Sequence, residues 1–149
     1  MDARRHPRIF AAADAAKPAV ILAGSGERLS FGELVQRSQR AAWLMRTLGL
    51  EPGDSVAICM ENHPRYFELC WAAHDAGLYF TPISSRLKAD EVAYIVADCN
   101  AKLLFVSAAL HAIVADLPRG WGGACRGYVI DALAVELGSH PGFDRYEDA

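Results

Sequence analysis

Arg86 is the residue of this 149-residue chain whose chemistry points most directly to a ligand. It follows Pro82-Ile83 and two serines, at the predicted carboxyl end of a β-strand, where α/β proteins tend to bind their ligands. A guanidinium group in that place can hold a phosphate through two parallel hydrogen bonds. A surface salt bridge to Asp90 or Glu91 accounts for the same residue, so the sequence leaves both interpretations open.

A glycine-rich segment, Gly24-Ser25-Gly26-Glu27, lies between a predicted strand and a predicted helix and invites comparison with nucleotide-binding loops. A dinucleotide-binding loop needs a third glycine three residues after the second, and Leu29 stands there. A Walker loop needs Gly-Lys-Ser/Thr, which the sequence lacks. We therefore interpret the segment as a tight turn. The sequence also lacks the Gly-x-Ser-x-Gly elbow that carries the nucleophile of α/β-hydrolases.

The histidines do not form a pattern that predicts catalysis. His74 and Asp75 are adjacent on a predicted helix, so their side chains point about 100° apart and are not expected to face each other. We expect His74 to be partly buried rather than catalytic. His6, His111 and His140 have no partner at a spacing that suggests a site.

The four cysteines are widely spaced and form neither a Cys-x-x-Cys pair nor a zinc-site pattern with histidines. Cys59, Cys70 and Cys99 lie in apolar segments, and Cys125 lies further along the chain. We expect buried free thiols and no metal site.

The elements that must position these residues alternate between helix and strand. Ser30 and Glu33 form a capping box, flanked by Leu29 and Leu34, which predicts a helix that ends at Gly49. Further helices are expected at residues 8–16, 66–76, 90–98 and, with Ser107 as cap, up to residue 117.

Strands are predicted at residues 19–22, 56–60, 78–83, 102–106 and 128–131, and the tail from residue 138 is polar and poorly patterned. Pro82 cannot donate to a strand ladder, so we place it at a strand end or on an edge strand. Trp71, Tyr79 and Phe80 are expected in the core. The alternation predicts an α/β fold with a largely parallel sheet and covering helices.

Composition narrows the classes of function. Apolar residues make up 52% of the chain, charged residues 22%, and the net charge is −3. These values favour a globular protein and argue against a nucleic-acid surface. We also expect no signal peptide, no transmembrane segment and a cytoplasmic location.

Five short segments occur in an order and at a spacing that resemble the adenylate-forming acyl-CoA synthetases, a superfamily that also includes luciferases and peptide-synthetase adenylation domains. They are residues 30–34 (SFGEL), 49–54 (GLEPGD), 61–64 (ENHP), 76–83 (AGLYFTPI) and 86–91 (RLKADE). The likeness covers about residues 6–117 and is greatest to bacterial fatty-acyl and aryl-acyl ligases.

The resemblance implies the N-terminal part of the large domain of such an enzyme. Its full-length relatives join a carboxylic acid to ATP with Mg²⁺, and the thiol of coenzyme A then displaces AMP. Arg86 matches a position that, in some aryl ligases of the family, is associated with the nucleotide end of coenzyme A. Lys88 stands where many relatives have a Thr helix cap, so a weaker cap is expected.

The expected division is residues 1–117 as the matched portion and residues 118–149 as a less clearly matched continuation that ends before the family's phosphate loop. The remainder of the parent enzyme is then a partner of this chain, and the chain alone is expected to be inactive. A stand-alone, non-catalytic α/β binding or interaction module is the alternative. The sequence gives less support to a third hypothesis, a Rossmann-type oxidoreductase, because the third glycine of its nucleotide-binding loop is missing.

Overall fold

The computed structural model describes residues 6–118, 120–131 and 142–149. The chain divides into two compact units. Unit 1 contains the chain up to Gly49 together with Asn62–Ala76, and unit 2 contains Leu50–Glu61 and the chain from Gly77 onward.

Unit 1 contains three helices and a two-stranded antiparallel hairpin among its described residues. In chain order they are α1 (Pro7–Ala13), β1 (Pro18–Ile21), β2 (Arg28–Ser30), α2 (Phe31–Thr47) and α3 (Pro64–Ala76). Helix α2 packs against both α1 and α3. The glycine-rich segment forms the hairpin turn, in which the amide of Gly26 donates to the carbonyl of Leu22 at 2.8 Å.

Helix α2 begins as its sequence predicts. The Ser30 hydroxyl accepts from the amide of Glu33 at 3.2 Å, and the Glu33 carboxylate accepts from the amide of Ser30 at 2.9 Å. Hydrogen bonds from Ser30 lower the pKa of Glu33 below its ordinary value. Leu29 and Leu34, on either side of the box, are both buried. The predicted capping box is therefore confirmed.

Unit 2 is built on a five-stranded parallel sheet with the order β4-β3-β5-β6-β7. Its strands are β3 (Ser55–Cys59), β4 (Tyr79–Ile83), β5 (Ala101–Ser107), β6 (Arg126–Ile130) and β7 (Phe143–Arg145), and its helices are α4 (Ala89–Asp98) and α5 (His111–Ala115). The predicted α/β class is confirmed, and β4, which contains Pro82, lies at an edge of the sheet.

The core of unit 2 lies between one face of the sheet and helices α4 and α5. Alternate residues of the central strands, including Ala57, Leu104 and Val129, pack there with Val92 and Val96 of α4. On the other face, the ring of Phe105 stacks on that of Tyr128 at 5.8 Å between centroids. The uninterrupted apolar runs of β3 and β5 reflect burial on both faces of the sheet.

Three expectations from the sequence are wrong. Tyr79 and Phe80 are not core residues, because the edge strand β4 leaves them 72% and 41% exposed. Ser107 does not cap a helix, since it is the last residue of β5. The tail contains strand β7, which its polar sequence did not predict.

None of the helices in the described part of the chain is long and apolar enough to cross a membrane.

Candidate functional site

The carboxyl ends of four parallel strands meet at one edge of the sheet in unit 2. Cys59 of β3 is level with Ile83 of β4 and with Val106 of β5, and Ser107 is level with Ile130 of β6. The chain places β4 on one side of β3 and β5 on the other, so the strand order reverses at β3. Ligands of open α/β sheets bind at the carboxyl ends beside such a reversal.

Glu61 and Ser107 form a hydrogen bond where β3 and β5 end. The Ser107 side chain is buried, and its hydroxyl donates to Oε2 of Glu61. This bond occupies the hydroxyl that was expected to cap a helix, and the following turn, Ala108–Leu110, precedes α5 without a side-chain cap. Ser107 therefore fixes the Glu61 carboxylate at the reversal point of the sheet.

Arg86 lies in a tight turn after β4, at the same edge. The amide of Leu87 donates to the Ser84 carbonyl at 3.3 Å, and the amide of Arg86 donates to the Ser84 hydroxyl at 3.3 Å. The Arg86 side chain is exposed. Within residues 6–118, 120–131 and 142–149, no carboxylate forms an ion pair with it, so neither Asp90 nor Glu91 does. The turn thus presents a guanidinium group to solvent at the edge where a ligand is expected.

Helix α4 begins directly after this turn. The Glu91 carboxylate accepts from the amide of Lys88 at 2.8 Å, which is half of a capping box. The Lys88 side chain has no acceptor atom and makes no cap hydrogen bond. Lys88 therefore does not supply the side-chain hydrogen bond that a threonine at this position could make.

A second group of titratable side chains lies in unit 1, and the sequence did not predict it. Nε2 of His6 lies 2.9 Å from Oδ1 of Asp75, and Nη2 of Arg8 donates to Oδ2 at 2.6 Å. Nδ1 of His74 lies 3.8 Å from the same Oδ1, although adjacent helical residues were expected to diverge. His6 therefore has a partner 69 positions away, which no local spacing could reveal.

Opposing effects act on the Asp75 carboxyl. Burial raises its pKa, but the hydrogen bonds from Arg8 and His6 outweigh burial and bring the pKa below its ordinary value. Asp75 is therefore ionised at neutral pH. The carboxylate is held between an imidazole and a guanidinium group.

The thiols match the expectation of free cysteines with no disulfide partner among the described residues. Cys59 is buried, and the other three are partly buried. Burial raises the pKa of Cys59 and of Cys70 to about 11 and that of Cys125 to about 12. These thiols are protonated at neutral pH and are poor nucleophiles.

Comparison with known proteins connects this fold to one group of enzymes. A family model described as "AMP-binding enzyme" matches residues 8–138. The chain is 37% identical over 95 residues to a feruloyl-CoA synthase from Amycolatopsis sp, which covers 64% of this chain and 19% of the relative. It is 29% identical over 127 residues to the fatty acid–[acyl-carrier-protein] ligase ScoC from Streptomyces coeruleorubidus. That match covers 79% of this chain and 24% of the relative.

A solved structure gives the same result. A protein assigned as a long-chain-fatty-acid CoA ligase, from Rhodopseudomonas palustris CGA009, superposes with a TM-score of 0.78 and 27% identity over 95% of this chain and 34% of that chain. The chain spans about a fifth to a quarter of the length of the curated relatives named above, at 19% and 24%. Because the family model covers most of the sequence, the chain belongs to the AMP-binding enzyme family.

Proposed function

We propose that this chain is the N-terminal part of the large domain of an acyl-CoA synthetase. The parent enzyme joins a carboxylic acid to ATP, releases pyrophosphate and transfers the acyl group from AMP to the thiol of coenzyme A. The match of the AMP-binding family model to residues 8–138 is the observation that carries this proposal. A fatty acid is the proposed substrate, since two of the three relatives described above are named for fatty acids, and an aryl acid is the alternative.

Within that enzyme, the proposed role of Arg86 is to bind a phosphate group of coenzyme A. Its guanidinium group is exposed, has no ion pair in the described part of the chain, and is presented by a hydrogen-bonded turn. A planar guanidinium can hold a phosphate through two hydrogen bonds. The turn therefore suits an anionic ligand.

ATP and Mg²⁺ are assigned to the remainder of the parent enzyme. Glu61, which follows β3, and Glu91, in the first turn of α4, already accept hydrogen bonds from Ser107 and from the amide of Lys88. The sequence contains no Ser/Thr/Gly-rich loop that ends in lysine. Stabilising the charge that develops during phosphoryl chemistry needs donors of that kind.

The experiment compares the 149-residue chain with the longer product of the same coding sequence. Reading beyond the codon for Ala149 is expected to reveal a Ser/Thr/Gly-rich loop that ends in lysine. The longer product should release pyrophosphate from ATP and Mg²⁺ when a fatty acid is added, and the 149-residue chain should not exceed a blank without protein.

Two results would overturn the proposal. A native stop codon after Ala149 would leave the stand-alone α/β module as the function to test. Sustained, acid-dependent pyrophosphate release by the 149-residue chain would show that the ATP site is already complete. Ferulate, assayed beside the fatty acid, distinguishes the two proposed classes of substrate.

A further inference from the structure

Three donor atoms converge where the N-terminus of α1 meets the last turn of α3. They are one ring nitrogen each of His6 and His74 and a carboxylate oxygen of Asp75, and all lie within 4.8 Å of one another. We propose that these three residues bind a divalent transition-metal ion such as Zn²⁺. Two imidazole nitrogens and one carboxylate oxygen form a donor set that suits Zn²⁺, Ni²⁺ and Cu²⁺.

The distances suit such an ion. Ligands about 2.1 Å from a tetrahedral ion lie roughly 3.4 Å from one another. Oδ1 of Asp75 lies 2.9 Å from the His6 nitrogen and 3.8 Å from the His74 nitrogen, on either side of that value. Small side-chain rotations are therefore enough to close the site.

The site is shielded from solvent at Asp75 and His6 and open to solvent at His74. The side chains of Asp75 and His6 are 9% and 16% exposed, whereas that of His74 is 36% exposed. An ion can thus enter from the side of His74. Three protein ligands leave the fourth position of a tetrahedral ion for water.

Two arginines hold Asp75 in place, one through its carboxylate and one through its backbone. Nη2 of Arg8 donates to Oδ2 of Asp75 at 2.6 Å, which leaves Oδ1 directed toward the histidines. Arg46 of α2 donates to the backbone carbonyl of Asp75. Partners of this kind orient metal ligands and raise the affinity of many sites.

Binding of an ion to His6 should break the hydrogen bond by which this histidine caps α1. Nδ1 of His6 accepts from the amide of Arg8 at 3.1 Å and so caps α1, which places the ring proton on Nε2. An ion at Nε2 requires that proton to be carried on Nδ1 instead, and the cap is lost. Losing a cap costs about 1 kcal/mol, which weakens the affinity about fivefold.

The chain contains its own control for this site. The sequence His6-Pro7-Arg8 recurs as His63-Pro64-Arg65 at the start of α3. There, Nδ1 of His63 accepts from the amide of Arg65 at 3.2 Å, as His6 does from Arg8. Of the two histidines, His6 is the one that joins a group of three metal-ligating side chains in the described residues.

Trp71 provides a signal for binding. Its ring centroid lies 4.9 Å from that of His6 and 5.4 Å from that of His74. Bound Ni²⁺ or Cu²⁺ should therefore quench its fluorescence, whereas Zn²⁺ should not. The experiment uses the 149-residue chain without a polyhistidine tag and measures fluorescence with NiCl₂, and calorimetry and melting temperature with ZnCl₂.

Wild-type protein should bind one ion, lose Trp71 fluorescence with Ni²⁺, and melt at a higher temperature with Zn²⁺. His74→Gln should weaken binding at least about tenfold, because it removes one of three ligands. The side chain of His74 is exposed, so the variant should fold as the wild type does, and circular dichroism checks this. His63→Gln should leave the affinity unchanged, and Trp71→Phe should remove the quenching while calorimetric binding persists.

Several results would overturn the metal site. They are the absence of stoichiometric binding, wild-type affinity in His74→Gln, or an equal loss of affinity in His63→Gln. If Zn²⁺ binds without raising the melting temperature, the ion is not held by the folded cluster.

Discussion

At the scale of single residues, Arg86 gives a direct test of the proposed coenzyme A contact. In the longer product, Arg86→Ala should raise the KM for coenzyme A about tenfold, because it removes a charge-assisted contact to a phosphate at an exposed site. Pyrophosphate release in the absence of coenzyme A should not change, since Arg86 is not assigned to ATP. The measurement is the initial rate of acyl-CoA formation as a function of coenzyme A concentration.

Two further variants separate charge from position. Arg86→Lys keeps the charge but loses the planar fork, so its KM should be intermediate. Arg40→Ala removes another exposed arginine, on α2, and should have no effect. If Arg86→Ala leaves the KM for coenzyme A unchanged, Arg86 does not bind coenzyme A and is an ordinary exposed residue.

Side-chain interactions were predictable from the sequence when both partners lay within one turn. Ser30 and Glu33 are three positions apart, and their capping box is present as predicted. The partner of Ser107 is Glu61, 46 positions away, so the hydroxyl was wrongly expected to cap a helix. The contact between His6 and Asp75 was missed for the same reason, because only the tertiary fold brings the N-terminal end of α1 next to the last turn of α3.

At the scale of the elements, the contact between β6 and β7 depends on a glycine. Gly127 is level with Phe143, and a Cβ at Gly127 would lie 2.4 Å from the Phe143 ring. That ring cannot easily move, since Trp121 stacks on it at 4.9 Å between centroids. Gly127→Ala should therefore destabilise the protein by about 2 kcal/mol, the usual cost of overpacking, and lower the Tm by about 5 °C.

Thermal denaturation followed by circular dichroism checks this prediction. Gly24→Ala is the control, because a Cβ at Gly24 meets no atom within 4 Å. Adding Phe143→Leu to Gly127→Ala should recover part of the lost stability if the ring causes the clash. If Gly127→Ala has the same Tm as the wild type, β7 does not pack on β6 in this way.

Elements were predictable where burial leaves a mark on the sequence. Strands β3 and β5 are buried on both faces and read as uninterrupted apolar runs. Strand β7 has three residues, two of them charged, and pairs with one neighbour in the described sheet. Its position depends on the space that Gly127 leaves for Phe143, and no periodicity in the sequence records that space.

At the scale of the whole molecule, the parallel sheet followed from the alternation of strands and helices. Of the two positions expected for Pro82, a strand end or an edge strand, the structure shows the edge strand. The sequence could not tell which apolar residues the edge would leave uncovered. Tyr79 and Phe80 lie in an apolar segment, yet they are 72% and 41% exposed on β4. Exposed aromatic residues on a sheet edge indicate a surface that another part of a protein covers.

If the parent enzyme covers that edge, the 149-residue chain alone should self-associate there. Pro82 interrupts the ladder of backbone donors on β4, so we expect contact through the aromatic side chains rather than a continuous sheet. Sedimentation velocity over a roughly hundredfold range of concentration should show a shift from monomer to dimer or larger species.

Tyr79→Lys should suppress association by adding charge at the edge. Tyr94→Lys should not, because Tyr94 is about equally exposed, at 70%, but lies on α4. A monomer at every concentration with one cooperative thermal transition would instead favour the stand-alone module, and equal effects of the two lysine variants would show that charge in general, not the β4 edge, controls association.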